Sequence, residues 1–233
     1  MQPKLNKMNS IRAVLFDLDG TLLDTVSDLA YALNRVCKEQ GRPELPISAI
    51  RQIASLGSRA MLKLALGLGE NDKNFNVIRE YFLALYEEHL ADSTRFFPNV
   101  EIVLAHLDAN NIPWGIVTNK LTRHTLALLK ALHIDHRPAC VICGDSLPTY
   151  KPDPEPIRYA CQLLQQHPAH CIYVGDAVTD VTASKAAGAK SLVALYGYIH
   201  ADDDPFTWQA DGYIHDSIEI IHWLAQFPLH EPT

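Results

Sequence analysis

The chain alternates continuous apolar runs with segments of helical periodicity, and this rhythm limits its folds more than any other feature. The runs are RAVLFD (12 to 17), PWGIVT (113 to 118), ACVICG (139 to 144), CIYVGD (171 to 176) and SLVALY (191 to 196). Each is too short for a helix and apolar without alternation, the pattern of a parallel strand covered on both faces. Between them, apolar residues at helical spacing predict helices over Val100 to Asn110, Thr122 to Leu132, Pro156 to Gln166 and Thr179 to Ala187, with Gly188 as a stop signal. Strand and helix in strict succession imply an α/β fold: a doubly wound, Rossmann-like parallel sheet.

One interval breaks the rhythm. From 24 to 93 there is no convincing strand, only helical patterns such as Leu29, Leu33, Val36 and later Ile78, Phe82, Leu85. Gly41-Arg42-Pro43, Gly57-Ser58 and Gly67 to Gly69 supply the breaks. The expected organisation is therefore a catalytic core of 1–23 and 94–233 with an inserted helical cap of 24–93.

Composition excludes several classes. Twenty Lys and Arg against 27 Asp and Glu give a net charge of −7, which disfavours nucleic acid or an anionic membrane as partner. No apolar run reaches the roughly 18 residues that cross a bilayer, and MQPKLNKMNS lacks the apolar stretch of a secretory signal, so a cytoplasmic protein is expected. Five scattered cysteines are an odd number and argue against a disulfide framework. His133, His136, Cys140 and Cys143 imitate a zinc site, but Cys140 and Cys143 are three apart on a strand, where their side chains diverge. They read instead as small buried hydrophobes.

The chemistry gathers where strands end. AVLF runs into Asp17-Leu18-Asp19-Gly20-Thr21 at what would be the carboxyl edge of a parallel sheet, the place where such sheets bind ligands. Two carboxylates one residue apart make sense if one is an ionised nucleophile and the other carries a proton. Gly175-Asp176-Ala177-Val178-Thr179-Asp180 adds a carboxylate at a second strand tip and another four residues on, hard oxygen ligands that suit Mg2+. Thr118 ends PWGIVT, and its hydroxyl suits a phosphoryl oxygen; Asn119 and Lys120 follow it at the expected edge of the substrate site. In Tyr150-Lys151-Pro152-Asp153-Pro154-Glu155-Pro156, three prolines restrict the backbone around a single lysine.

These four segments, in this order along the whole chain, resemble the haloacid dehalogenase superfamily and within it the phosphatases. The insertion after the first motif matches the subclass whose cap lies between motifs one and two. The resemblance implies that Asp17 is the nucleophile that forms an aspartyl phosphate and that Asp19 is the general acid and base. It also implies Mg2+ held by Asp17, the backbone carbonyl of Asp19 and Asp176 with Asp180 in support, and Thr118 and Lys151 on the phosphoryl oxygens. In the cap, Gly57-Ser58-Arg59 interrupts the helical pattern and brings a guanidinium suited to carboxylate or phosphate.

The chain looks most like bacterial phosphoglycolate phosphatases and the related N-acetylmuramic acid 6-phosphate phosphatases; YGYIH and the later WQAD lean to the second group. The expected partner is a small phosphorylated metabolite, acted on by a monomer or homodimer. Two alternatives have distinct signatures. A phosphosugar mutase of the same superfamily would isomerise sugar phosphate without releasing phosphate. A receiver-like signalling module would carry its acceptor Asp on the third strand and have no inserted cap.

Overall fold

Four consecutive residues with no polar side chain suit only a strand buried on both faces, and all four residues of β1 (Ala13–Phe16) are buried. The structure, a computed structural model, describes residues 10–227. The outer ends of the expected core, 1–9 and 228–233, lie outside the described residues. A two-residue strand, β2 (Leu23–Asp24), leads into four helices: α1 (Val26–Glu39), α2 (Ile47–Arg51), α3 (Gly57–Leu66) and α4 (Phe75–Glu88). A short 3-10 turn, Ala54–Leu56, precedes α3. β3 (Arg95–Phe96) then returns antiparallel to β2, so a two-stranded ribbon joins the helical insertion to the rest of the chain.

Past the ribbon, helix and strand alternate: α5 (Val100–Ala109), β4 (Trp114–Val117), α6 (Thr122–Ala131), β5 (Cys140–Ile142), α7 (Glu155–Leu163), β6 (Cys171–Gly175), α8 (Val178–Ala187) and β7 (Lys190–Ala194). β8 (Gly212–Ile214) and α9 (Glu219–Leu224) complete the described chain. The sheet order is β5-β4-β1-β6-β7-β8 and every pairing in it is parallel. Gly188 ends α8 in the left-handed region at φ 88°, as its position in the sequence predicts.

Side-chain alternation divides the core in two. Val14 and Phe16 join a layer that runs on into the helical insertion through Leu33, Phe82 and Tyr86, while Ala13 and Leu15 pack with Ile157, Ala160 and Tyr173 on the opposite face. The sheet order places β1 centrally, with the chain winding outward to β4 and β5 on one side and to β6 and β7 on the other. Such a reversal opens a crevice at the carboxyl ends of the strands. Residues 17, 118 and 176 follow β1, β4 and β6 at that edge.

Four strands fall inside their apolar runs, and β7 begins one residue before its run, at Lys190. β8, α9 and the β2–β3 ribbon were not anticipated, because elements of two to six residues are too short to display a period. All five cysteines are free and buried. The candidate metal-binding cluster found among the described residues contains neither histidine nor cysteine.

Candidate active site

Asp17 leaves β1 with its Oδ1 accepting the Leu18 N–H at 2.8 Å and lying 3.0 Å from Lys151 Nζ. Lys151 arrives from a loop 134 residues further on (151 − 17) and is fully buried. Its Nζ donates to Asp180 Oδ1 at 2.7 Å and to the Tyr173 hydroxyl at 2.7 Å, and Tyr173 in turn donates to the Val117 carbonyl at 2.7 Å. Asn119 clamps the lysine's backbone from both sides: Nδ2 donates to the Lys151 carbonyl at 2.9 Å, and the Lys151 N–H donates to Oδ1 at 3.0 Å. The amide expected at the substrate site therefore also fixes the lysine.

Asp176 follows β6 and accepts from the Thr21 hydroxyl at 3.0 Å, the Tyr198 N–H at 2.8 Å and the Ser55 hydroxyl at 2.8 Å. Ser55 belongs to the 3-10 turn of the insertion, so this bond ties the insertion to the sheet edge. Gly20, at φ 84°, passes so close to the Asp176 carboxylate that any Cβ would overlap it. Asp180, in the first turn of α8, accepts the Ala177 N–H at 2.9 Å.

Asp17, Asp176 and Asp180 each offer one carboxylate oxygen, and these oxygens all lie within 4.8 Å of one another. Burial pushes the Asp17 carboxyl up to about 6, against the pull of Lys151 and with Asp180 adding to the rise. Burial also pushes Asp176 up to about 8, reinforced by Asp17 and Asp180. Lys151 is pulled down by burial, but Asp17 and Asp180 outweigh this and hold it above its ordinary value. Three carboxyl groups crowd together while the one buried ammonium pairs with only Asp17 and Asp180, an arrangement that a divalent cation with hard oxygen ligands would relieve. The donor set fits Mg2+.

Asp19 stands apart from this trio. Its Oδ1 accepts from the Thr25 hydroxyl at 2.6 Å, and its two oxygens lie 3.0 and 3.2 Å from Lys120 Nζ. Lys120 sits 4.5 Å over the ring of Tyr86, which comes from α4. Burial lowers the lysine's pKa, but Asp19 reverses the effect and raises it. Lys120, expected at the edge of the substrate site, is thus the buried counter-ion of Asp19. Thr118 is buried beside it and accepts the Lys120 N–H at 3.2 Å.

A cavity of about 330 Å³ opens between the sheet edge and the insertion. Asp17, Asp19, Thr118, Asn119 and Lys120 line its floor, and Met61, Phe82 and Leu83 form much of its roof. Arg59 borders it but is paired with Glu70 at 3.1 Å, with 58% of its side chain exposed. Arg79, Tyr86 and His124 also line the cavity and escaped the sequence reading, since each occupies an ordinary position on an amphipathic helix. Burial, with Lys120 and Arg123 nearby, pushes His124 down to about 4, so its ring is neutral at pH 7.

The long loop after β7 braces the insertion. Tyr198 accepts from the Thr25 and Val26 N–H groups at 2.7 and 3.0 Å and donates to Asp24 Oδ1 at 2.8 Å, all at the start of α1. Arg51 adds an ion pair to Asp24 at 2.7 Å, its guanidinium 5.1 Å from the Tyr198 ring centre. The YGYIH segment therefore links Asp176 to the point where the insertion begins. His200, the last residue of that segment, accepts the Asp202 N–H at 3.1 Å.

The chain is similar to known proteins in sequence and fold. A family model described as haloacid dehalogenase-like hydrolase matches residues 14–194. An N-acetylmuramic acid 6-phosphate phosphatase of Pseudomonas putida is 36% identical over 210 residues, 90% of this chain and 94% of that protein. A phosphoglycolate phosphatase of Xanthomonas campestris pv. campestris is 40% identical over 200 residues, 86% of this chain and 90% of that protein. The crystal structure of a predicted phosphoglycolate phosphatase from Haemophilus somnus superposes with a TM-score of 0.83 at 29% identity, covering 91% of this chain and 97% of that one.

Proposed function

This chain belongs to the haloacid dehalogenase-like hydrolase family and is a phosphatase, and we propose that it hydrolyses a small phosphomonoester through an aspartyl phosphate on Asp17. One observation carries the reading: Asp17, Lys151 and the Asp176–Asp180 pair, from three separate stretches of sequence, meet at one point, and Asp17 opens from it onto the cavity.

A carboxylate oxygen of Asp17 attacks phosphorus while the bond to the leaving oxygen breaks. Asp19 gives its proton to that oxygen. In the second half it takes a proton from water, the water attacks the same phosphorus, and the Asp17 carboxylate is restored. Thr25 and Lys120 hold the Asp19 carboxyl group at the cavity floor. The three Lys151 N–H groups are taken by Asp17, Asp180 and Tyr173. Once Asp17 is esterified, the first of these passes to a phosphoryl oxygen, where the Thr118 hydroxyl is the second protein donor.

Mg2+ held by Asp17, Asp176 and the Asp19 carbonyl, with Asp180 in support, would neutralise charge on the transferring group. Together with Lys151, such an ion would explain how a chain of net charge −7 accepts a dianion.

The substrate we propose is phosphoglycolate or a sugar phosphate such as N-acetylmuramic acid 6-phosphate, the compounds in the names of the two relatives. A cavity of about 330 Å³ leaves room for a leaving group larger than glycolate. The cap of 24–93 closes over it, with Ser55 and Tyr198 holding the closed position. We place the protein in the cytoplasm as a monomer or homodimer, in keeping with five unpaired, buried cysteines. Among the described residues no helix is long and apolar enough to cross a membrane.

The test is release of inorganic phosphate from p-nitrophenyl phosphate. Continuous turnover with Mg2+ that stops on chelation by EDTA is expected; turnover indifferent to EDTA contradicts the proposal. Asp19→Asn should lower the rate by ~10^2 to 10^4, the usual value of general acid–base help. A variant within threefold of wild type removes Asp19 from the mechanism.

A further inference from the structure

The cavity has charge at both ends, and the balance differs. On its floor the carboxylates are matched: Asp17 by Lys151 and Asp19 by Lys120. On the cap side the situation is reversed. Arg79, on α4, lines the cavity with 22% of its side chain exposed, and no carboxylate among the cavity's lining residues faces it. Its Nε donates to the Ser58 hydroxyl at 3.0 Å. Its Nη1 reaches Glu80 only at 3.4 Å, and Glu80 is more closely bound by Arg123 at 2.8 Å. No hydrogen-bond partner to Nη2 is found among the described residues.

A partly desolvated guanidinium with unused donors is costly unless something accepts from it. The walls beside it, Met61, Phe82 and Leu83, accept nothing. Arg59 is the weaker competitor, since its pair with Glu70 at 3.1 Å is closer than that of Arg79 with Glu80 at 3.4 Å and its side chain is far more exposed.

We propose that Arg79 is a specificity-determining residue that binds a carboxylate on the leaving group, so that the substrate is the phosphomonoester of a hydroxy acid. This rests on the phosphatase reading and deepens it. With the phosphoryl group on the floor beside Asp17 and Lys151, the far end of the substrate meets the cap. There Nη2 offers a charge-assisted hydrogen bond, and Ser58, whose oxygen accepts from Nε, keeps its own proton to donate to the second carboxylate oxygen. A neutral polyol phosphate has no group to satisfy the guanidinium. Phosphoglycolate and N-acetylmuramic acid 6-phosphate both carry a carboxylate, and the account requires only that shared chemistry.

Two matched pairs of esters isolate it. N-acetylmuramic acid 6-phosphate differs from N-acetylglucosamine 6-phosphate only in its lactyl ether, and phosphoglycolate differs from 2-hydroxyethyl phosphate only in its carboxylate. The readout is the ratio of kcat/KM within each pair, which cancels any loss of folded enzyme. Wild type should prefer the carboxylated member of at least one pair. Arg79→Met should reduce that preference by roughly 10- to 100-fold, chiefly through KM. Arg79→Lys, which keeps the charge, should recover part of it. Ratios unchanged in Arg79→Met, or no preference by wild type in either pair, overturn the proposal. Absence of turnover on p-nitrophenyl phosphate is a different result and overturns the phosphatase mechanism itself.

Discussion

Asp17→Asn is expected to eliminate phosphatase turnover, with a loss on the order of 10^4 to 10^6 in kcat, the scale seen when a covalent nucleophile is removed. An amide has nearly the shape of the carboxylate and can still accept the Leu18 N–H through its oxygen. It cannot form the acyl phosphate. The substitution should not unfold the protein, because Asp17 is a crowded carboxylate whose burial pushes its pKa up to about 6 and whose neighbour Asp180 raises it further. Neutralising it relieves that repulsion, and Lys151 keeps Asp180 as partner. Phosphate release and thermal melting on the same preparation give the comparison. A variant that melts like wild type and hydrolyses within tenfold of it would show that some other group attacks phosphorus.

The second large effect is on stability and rate together. Lys151→Met removes the buried ammonium shared by Asp17 and Asp180 and leaves both carboxylates without a counter-ion. Breaking a buried pair from one side costs about 3–5 kcal/mol. For a chain of 233 residues, at about 2–4 °C per kcal/mol, that is a fall in Tm of roughly 6–20 °C. The loss should shrink as the pH is lowered, because protons can then neutralise carboxyl groups that the lysine no longer does. Turnover should fall with stability but remain low at temperatures where the variant is folded, since the phosphoryl oxygen loses its donor. A Tm and a rate both equal to wild type would contradict the placement of Lys151 at the centre of the site.

How much of this was legible beforehand depends on the range over which each signal acts. The apolar runs and the Asp17-Leu18-Asp19-Gly20-Thr21 exit are local patterns, and the resemblance in motif order brought Lys151 and Asp176 to the same edge. Asp180 shows the limit. An acid in the first turn of a helix is favoured there by the dipole alone, so nothing in its surroundings announces the 2.7 Å pair with Lys151. Asn119 and Lys120 line the cavity, but their hydrogen-bond partners were not legible. A sequence does not show that the Lys151 backbone or the Asp19 carboxylate is the nearer partner.

Tyr173 and Tyr198 were missed for the same reason. Tyr173 reads as an apolar strand residue until its hydroxyl is seen between Lys151 and Val117. Tyr198 lies in the loop after β7, and its contacts at the start of α1 span 173 residues of sequence. Ser55 and Arg79 lie in the cap, whose apolar periodicity describes how its helices pack and says nothing about which polar positions overlook the sheet.

The most direct test of the whole account is to find where the phosphoryl group goes. Wild type and Asp19→Asn, the second expected to slow breakdown of the intermediate, are mixed with p-nitrophenyl phosphate and Mg2+, quenched in acid and digested. Peptide mass spectrometry with borohydride reduction then locates any acyl phosphate. The account predicts a phosphoryl group on the peptide containing Asp17, converted by reduction to homoserine at that position and more abundant in Asp19→Asn. A phosphoryl group on any other side chain, or a burst of p-nitrophenol with position 17 unmodified, would contradict it.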